Sequence, residues 1–145
     1  MVIGGEMKEL RGHKNCLLPS SAELRKGICE FNAGAWFECH ETLEELWAGE
    51  RDEARELYQG ILQVAVGLYH WRNGNYRGAI RLLRTGAQLL GHLVPVCQEV
   101  DITALISDTE CFRERLESLG EEQMAFMENE LIPRIRMSES IGEKL

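Results

Sequence analysis

Apolar positions recur along this chain at helical spacing, and almost nowhere do they alternate every second residue. The strongest pattern covers 53–73. There Leu57, Ile61, Val64, Leu68 and Trp71 follow one another at three- and four-residue steps, and Tyr58, Leu62, Ala65 and Tyr69 form a second row. A helix apolar over so much of its circumference belongs at the centre of a bundle. Residues 35–48 place Trp36, Cys39, Leu43, Leu46 and Trp47 on one stripe, with Glu38, Thr42 and Glu45 on the far side. A third helix spans 76–93, marked by Ala79, Ile80, Leu82, Leu83, Ala87 and Leu90. Weaker patterns predict a short helix from Ser21 to about Phe31, one from Asp101 or Thr103 to Gly120, and a short amphipathic piece over 121–131.

The punctuation agrees with these periods. Pro19-Ser20-Ser21 starts the first helix, because a Ser hydroxyl accepts an N–H that the first turn leaves free. Asn32-Ala33-Gly34, Gly49 and Asn73-Gly74-Asn75 end helices, and Asp52 starts the longest one. Gly60 and Gly67 lie inside that helix, where each costs about 1 kcal/mol relative to Ala. Close approach by a neighbouring helix offsets such a cost. The expected fold is all-α: a bundle of about five or six helices around the antiparallel pair 35–48 and 53–73, with 76–93 packed on it. Residues 1–20 read as an N-terminal arm, 21–131 as one helical-bundle domain and 132–145 as a C-terminal tail.

Composition narrows the function. Sixteen Lys and Arg against 24 Asp and Glu leave a net charge of −8, which argues against nucleic acid or an anionic membrane as partner. No apolar run approaches the ~20 residues of a membrane span. Gly4-Gly5-Glu6 interrupts the start, and no long apolar core follows as in a signal peptide. The cysteines at 16, 29, 39, 97 and 111 show no C-x-x-C spacing, so they read as buried or half-buried free thiols in a reducing cytoplasm.

Candidate chemistry gathers on two helices. His40 borders the apolar stripe of 35–48, Glu44 lies one turn on, and Glu41 sits further round. His40-Glu41-x-x-Glu44 has Glu where a zinc-protease helix needs its second His. His40 and Glu44 could still share a divalent metal, or hydrogen-bond each other so that the carboxylate sets the imidazole tautomer. Gln59 and Gln63 are one turn apart on the long helix, with His70 two turns beyond. Buried amides need partners, since an unpaired one costs roughly 1–3 kcal/mol. His40, Glu41 and Glu44 are the expected ones, facing the amides across one helix contact and flanked by Trp36 and Trp47. That cluster reads either as a structural network or as a ligand pocket. Arg72, Arg77, Arg81 and Arg84 form a basic group around the next turn, read as a solvated face with an anion as the alternative.

Two resemblances follow from these residues. Phe31-Asn32-Ala33-Gly34, then Trp36-Phe37-Glu38, His40-Glu41, Leu43-Glu44 and Trp47, then Tyr58-Gln59-Gly60-Ile61-Leu62-Gln63 and finally His70 and Gly74-Asn75, resemble DUF309, a family of small helical proteins of unknown function. The likeness runs over about residues 28 to 92. It implies an all-helical bundle with a polar cluster between the two blocks, and no assigned activity. Gly67-x-x-His70-x-x-x-Gly74-Asn75-Tyr76-x-x-Ala79-Ile80 resembles the turn of a tetratricopeptide repeat. No second copy follows, and a single repeat cannot bury its own faces, so this is a shared helical hairpin.

The functional expectation is a cytoplasmic, non-catalytic module that binds a ligand or a protein through this cluster. The alternative is a metal-assisted or His-dependent hydrolase using the same groups. No cofactor is expected; a divalent metal at His40 and Glu44 is the alternative. The partners considered are a second copy, another protein or a small molecule, with no nucleic acid and no membrane.

Overall fold

The computed structural model describes residues 16–52 and 54–138. The Ser21 side chain accepts the Leu24 N–H at 3.1 Å and opens α1, Ala22–Asn32. Gly34 at φ 77° turns the chain into α2, Trp36–Ala48. After Gly49 the chain reverses into α3, Ala54–Arg72, and Gly74 at φ 82° turns it again into α4, Tyr76–Leu90. Both turn glycines sit where a β-carbon would be strained. The Asn75 side chain caps α4 at the Gly78 N–H, and Asp101 caps α5, Ile102–Leu119, at the Ala104 N–H. Each helix packs on the next in chain order. The all-α expectation holds, but the centre is α3 alone, which packs on α2 along one side and more extensively on α4 along the other, so the expected central pair with α2 is corrected.

Leu57, Ile61, Val64, Ala65 and Leu68 of α3 are fully or almost fully buried, against Leu43, Leu83, Leu90, Leu105 and Phe112 from the surrounding helices. The internal glycines act as the spacing suggested. A Cβ on Gly60 would lie 2.7 Å from Leu90 Cγ, and one on Gly67 3.0 Å from Leu83 Cγ. Gly86 of α4 answers them: its Cβ would meet the Gly60 carbonyl and the Val64 nitrogen, both at 3.1 Å. α3 and α4 therefore touch nearly backbone to backbone.

Four features differ from the sequence expectation. First, 76–93 ends as an α-helix at Leu90, with a 3-10 turn over Gly91–Leu93, and 121–131 forms two 3-10 turns, Glu121–Phe126 and Asn129–Leu131. Second, a two-residue hairpin joins α4 to α5: β1, Val96–Cys97, pairs antiparallel with β2, Val100–Asp101. Strands this short leave no period to read. Its turn residues Gln98 and Glu99 both have positive φ, 49° and 71°, a conformation that costs non-glycine residues on the order of 1 kcal/mol each. Side chains hold it in place. Tyr58 Oη donates to Gln98 Oε1 at 3.0 Å, and the Ser20 N–H and Oγ donate to Glu99 Oε1 at 3.0 and 2.9 Å.

Third, Cys16 and Cys97 form a disulfide, which corrects the reading of five free thiols. The Gln98 N–H donates to the Cys16 carbonyl at 2.7 Å, so the start of the described chain lies along the hairpin and two distant cysteines meet. Cys29 is exposed rather than buried, whereas Cys39 is free and buried as expected. Fourth, residues 132–138, expected as the start of a tail, dock on the bundle. Asn32 grips Ile135 through both of that residue's backbone groups, and Val100 bridges to Met137. The remaining parts of the expected arm, 1–15, and tail, 139–145, lie outside the described residues.

Candidate functional site: the outer face of α2, α3 and α4

Antiparallel packing of α2 on α3 sets Phe37 beside Tyr69, with ring centroids 5.8 Å apart. The Phe37 ring also lies 6.1 Å from His40, and Tyr69 lies 6.3 Å from His70. The two histidines thus end a row of four rings running across the α2–α3 junction. His40 Nε2 lies 2.9 Å from Glu44 Oε2, the pairing that i,i+4 spacing makes available. Phe37 is 49% exposed, on a helix face shared with Glu41, Glu44 and Glu45. Along α3 the residues turned to the same side are half-buried: Gln59, Leu62, Gln63, Val66, Tyr69 and His70.

The expected convergence of amides on His40 is divided between two helix junctions. Gln63 is held from α4, where the Thr85 hydroxyl donates to its Oε1. His40 turns back to Glu44 on its own helix. His70 Nδ1 lies 3.4 Å from the Asn75 side-chain nitrogen at the head of α4. Glu41 is exposed, and Gln59 sits half-buried on the outer side of α3. The reason is rotational: His40 and Glu44 stand at the solvent edge of the α2–α3 contact, while Gln63 lies round α3 toward α4.

Trp36 and Trp47 fasten the pair and stand away from the His40 groove. Trp36 is 3% exposed and donates from Nε1 to the Phe31 carbonyl. The Arg72 guanidinium stacks 4.3 Å over its ring and also donates to the Gly34 carbonyl at 2.7 Å. Arg55 stacks 4.2 Å over Trp47. Sequence periodicity showed these Trp on the buried stripe; it carried no sign that an Arg at each end of α3 would cover them. In the basic group around the turn, Arg84 pairs with Glu117 at 3.0 Å, and Arg77 and Arg81 are exposed.

A shallow groove of about 350 Å³ runs beside His40, lined by Phe37, His40, Glu41, Glu44, Glu45 and Ala48. All six belong to α2, so among the described residues no second element lines this groove. A wider cleft of about 540 Å³ lies between Trp36, Arg72 and residues 129–134. Two of its polar walls serve the fold: Asn32 holds Ile135, and Trp71 Nε1 donates to the Met124 carbonyl at 2.8 Å. Burial, reinforced by Glu30, pushes the Cys39 thiol up to about 12, so it stays protonated and inert. Among the described residues no three His, Cys, Asp or Glu side chains converge as metal ligands, and no helix is long and apolar enough to cross a membrane.

The family resemblance holds. Residues 24–82 match the model of a domain of unknown function, DUF309. That segment contains most of α1, all of α2 and α3 and the first part of α4, and so the whole ring row. Two relatives match part of the chain. Over 65 residues the chain is 43% identical to Uncharacterized protein YpuF of Bacillus subtilis (strain 168), covering 43% of this chain and 37% of that protein. Over 76 residues it is 28% identical to an uncharacterized protein of Aquifex aeolicus (strain VF5), covering 50% of this chain and 23% of that protein. The chain therefore spans well under half the length of these relatives.

Proposed function

We propose that this protein is an interaction module whose outer α2–α3 face docks a protein surface. The observation that carries this reading is the exposed Phe37, joined through Tyr69 and His40 into a continuous strip of rings between the half-buried Leu62 and Val66 and the Glu-rich edge of α2. Large rings with polar tips give contact area at little entropic cost, and aromatic residues are enriched at the centres of protein interfaces. A hydrolytic reading with His40 as base has the oriented imidazole, but its groove is walled by a single helix. It lacks the convergent donors and nucleophile that such chemistry needs.

The test is site-specific photocrosslinking in producing cells. A benzoylphenylalanine at position 37, and another at the exposed Glu114 of α5 as control, are irradiated and the adducts identified by mass spectrometry. A discrete protein adduct formed from position 37 and not from 114 is expected. No adduct at 37, or the same adducts at both positions, overturns the reading.

A further inference from the structure

The docking face is polarised in a way that selects its partner. On one flank, α2 exposes Glu38, Glu41, Glu44 and Glu45 and contains no Lys or Arg. On the other, α4 carries Arg77, Arg81 and Arg84 and contains no Asp or Glu. Between them α3 has no Asp, Glu, Lys or Arg from Leu57 to Trp71. Arg84 is taken by Glu117 on α5, but among the described residues Arg77 and Arg81 enter no ion pair. Glu41 enters none either. Arg81, one turn before the Thr85 that reaches Gln63, borders the face on the α4 side, so uncharged α3 lies between an acidic edge at α2 and a basic one at α4.

We propose that this face pairs with the same face of a second copy about a two-fold axis parallel to α3, laying the acidic α2 of each copy over the basic α4 of the other. The choice of axis follows from symmetry. A two-fold perpendicular to α3 within the interface plane sets α2 on α2 and α4 on α4, like charge against like. A two-fold parallel to α3 exchanges the flanks and keeps the strip of Leu62, Val66 and Tyr69 against itself. The levels along the axis also agree. Phe37 stands level with Tyr69, and Leu83 with Gly67. Counting along the antiparallel helices places Glu41 and Arg81 about four residues, ~6 Å, apart along α3. Long Glu and Arg side chains span that offset, whereas Glu44 and Arg77 stand roughly 16 Å apart along α3 by the same count and act at longer range. Opposed charge at the rim and rings at the centre is the usual distribution in a self-complementary interface.

This inference rests on the docking reading above, and its test separates the two. The full chain is examined by sedimentation velocity, alone and as two charge-reversed variants: Glu41→Lys with Glu44→Lys, and Arg77→Glu with Arg81→Glu. All four positions are exposed, and circular dichroism verifies that each variant is folded. The wild type is expected at twice the chain mass, each variant alone at the single mass, and an equal mixture of the two variants again at twice the mass. In the mixture both flanks are complementary once more, which no general loss of stability reproduces. A monomeric wild type overturns the inference, as do variants that stay dimeric alone or a mixture that does not reassociate. A monomeric wild type together with a Phe37 adduct to a different protein removes the second copy and leaves the docking reading standing.

Discussion

Replacing Gly86 by Ala tests the contact that positions α4 against α3, and with it the basic flank of the face. The new Cβ would lie 2.9 Å from Val64 Cγ2 and 3.1 Å from both the Val64 nitrogen and the Gly60 carbonyl oxygen. Val64 Cγ2 belongs to a side chain with no exposure, and the other two atoms are backbone, so relief requires the helices to separate. Such overpacking costs ~1–3 kcal/mol. Against it stands the better helix propensity of Ala, about 1 kcal/mol. Because two of the three close atoms are backbone, the upper half of the overpacking range applies, and the net loss is ~1–2 kcal/mol. For a domain of this size that lowers Tm by roughly 3–8 °C. Gly91 is the internal control: its φ of −58° suits any residue and nothing lies within 4 Å of its added Cβ. Gly91→Ala should therefore gain about 0.4–1 kcal/mol through the unfolded chain. Urea unfolding followed by circular dichroism measures both. A Gly86→Ala variant as stable as the wild type, with Gly91→Ala behaving as expected, would show that α3 and α4 do not touch through these glycines.

Three further outcomes are expected. Asn32→Ala removes the bonds at 2.9 and 2.8 Å to both backbone groups of Ile135. It should cost ~1–3 kcal/mol and speed amide exchange over 132–138; unchanged exchange there refutes the docking of that segment through Asn32. Without reductant, the native chain should present two thiols to a disulfide-exchange reagent, Cys29 and Cys111. Cys39, buried with its thiol near 12, should react only on unfolding; three fast thiols contradict the fold at α2. Glu99 has its carboxyl held below the usual range by the Ser20 N–H and hydroxyl, with Arg25 adding to the effect. A depressed folded pKa adds stability above the ordinary carboxylate pKa and loses it as pH falls through the lower, folded value. The wild type should therefore lose stability in acid more steeply than Glu99→Gln, and equal pH profiles in urea titrations would remove the Ser20–Glu99 clasp.

Secondary structure was legible in the residues because it is encoded locally. The apolar stripes of α2, α3 and α4, the Ser21 and Asp101 caps and the Gly34 and Gly74 turns all depend on spacing within a few positions, and each stands within a residue or two of its expected place. Gly60 and Gly67 even announced a close helix contact, though only the fold supplied Gly86 as the partner. The hairpin at 96–101 escaped notice because two-residue strands have no period, and the Cys16–Cys97 bridge because pairing across 81 residues leaves no mark on spacing.

The site divides along the same line. Residues one turn apart on one helix, such as His40 and Glu44, were certain to be neighbours. Whether Gln63 faced His40 depended on how α3 is rotated between α2 and α4, and that angle is set by the summed packing of Gly60, Gly67, Leu83 and Leu90. The sequence by itself determined the helices, their order and the sign of charge each one carries. Tertiary structure alone decided that Phe37 and Tyr69 would meet in the open and that an acidic and a basic helix would flank them, because side-chain direction across a helix contact depends on residues far away in the chain.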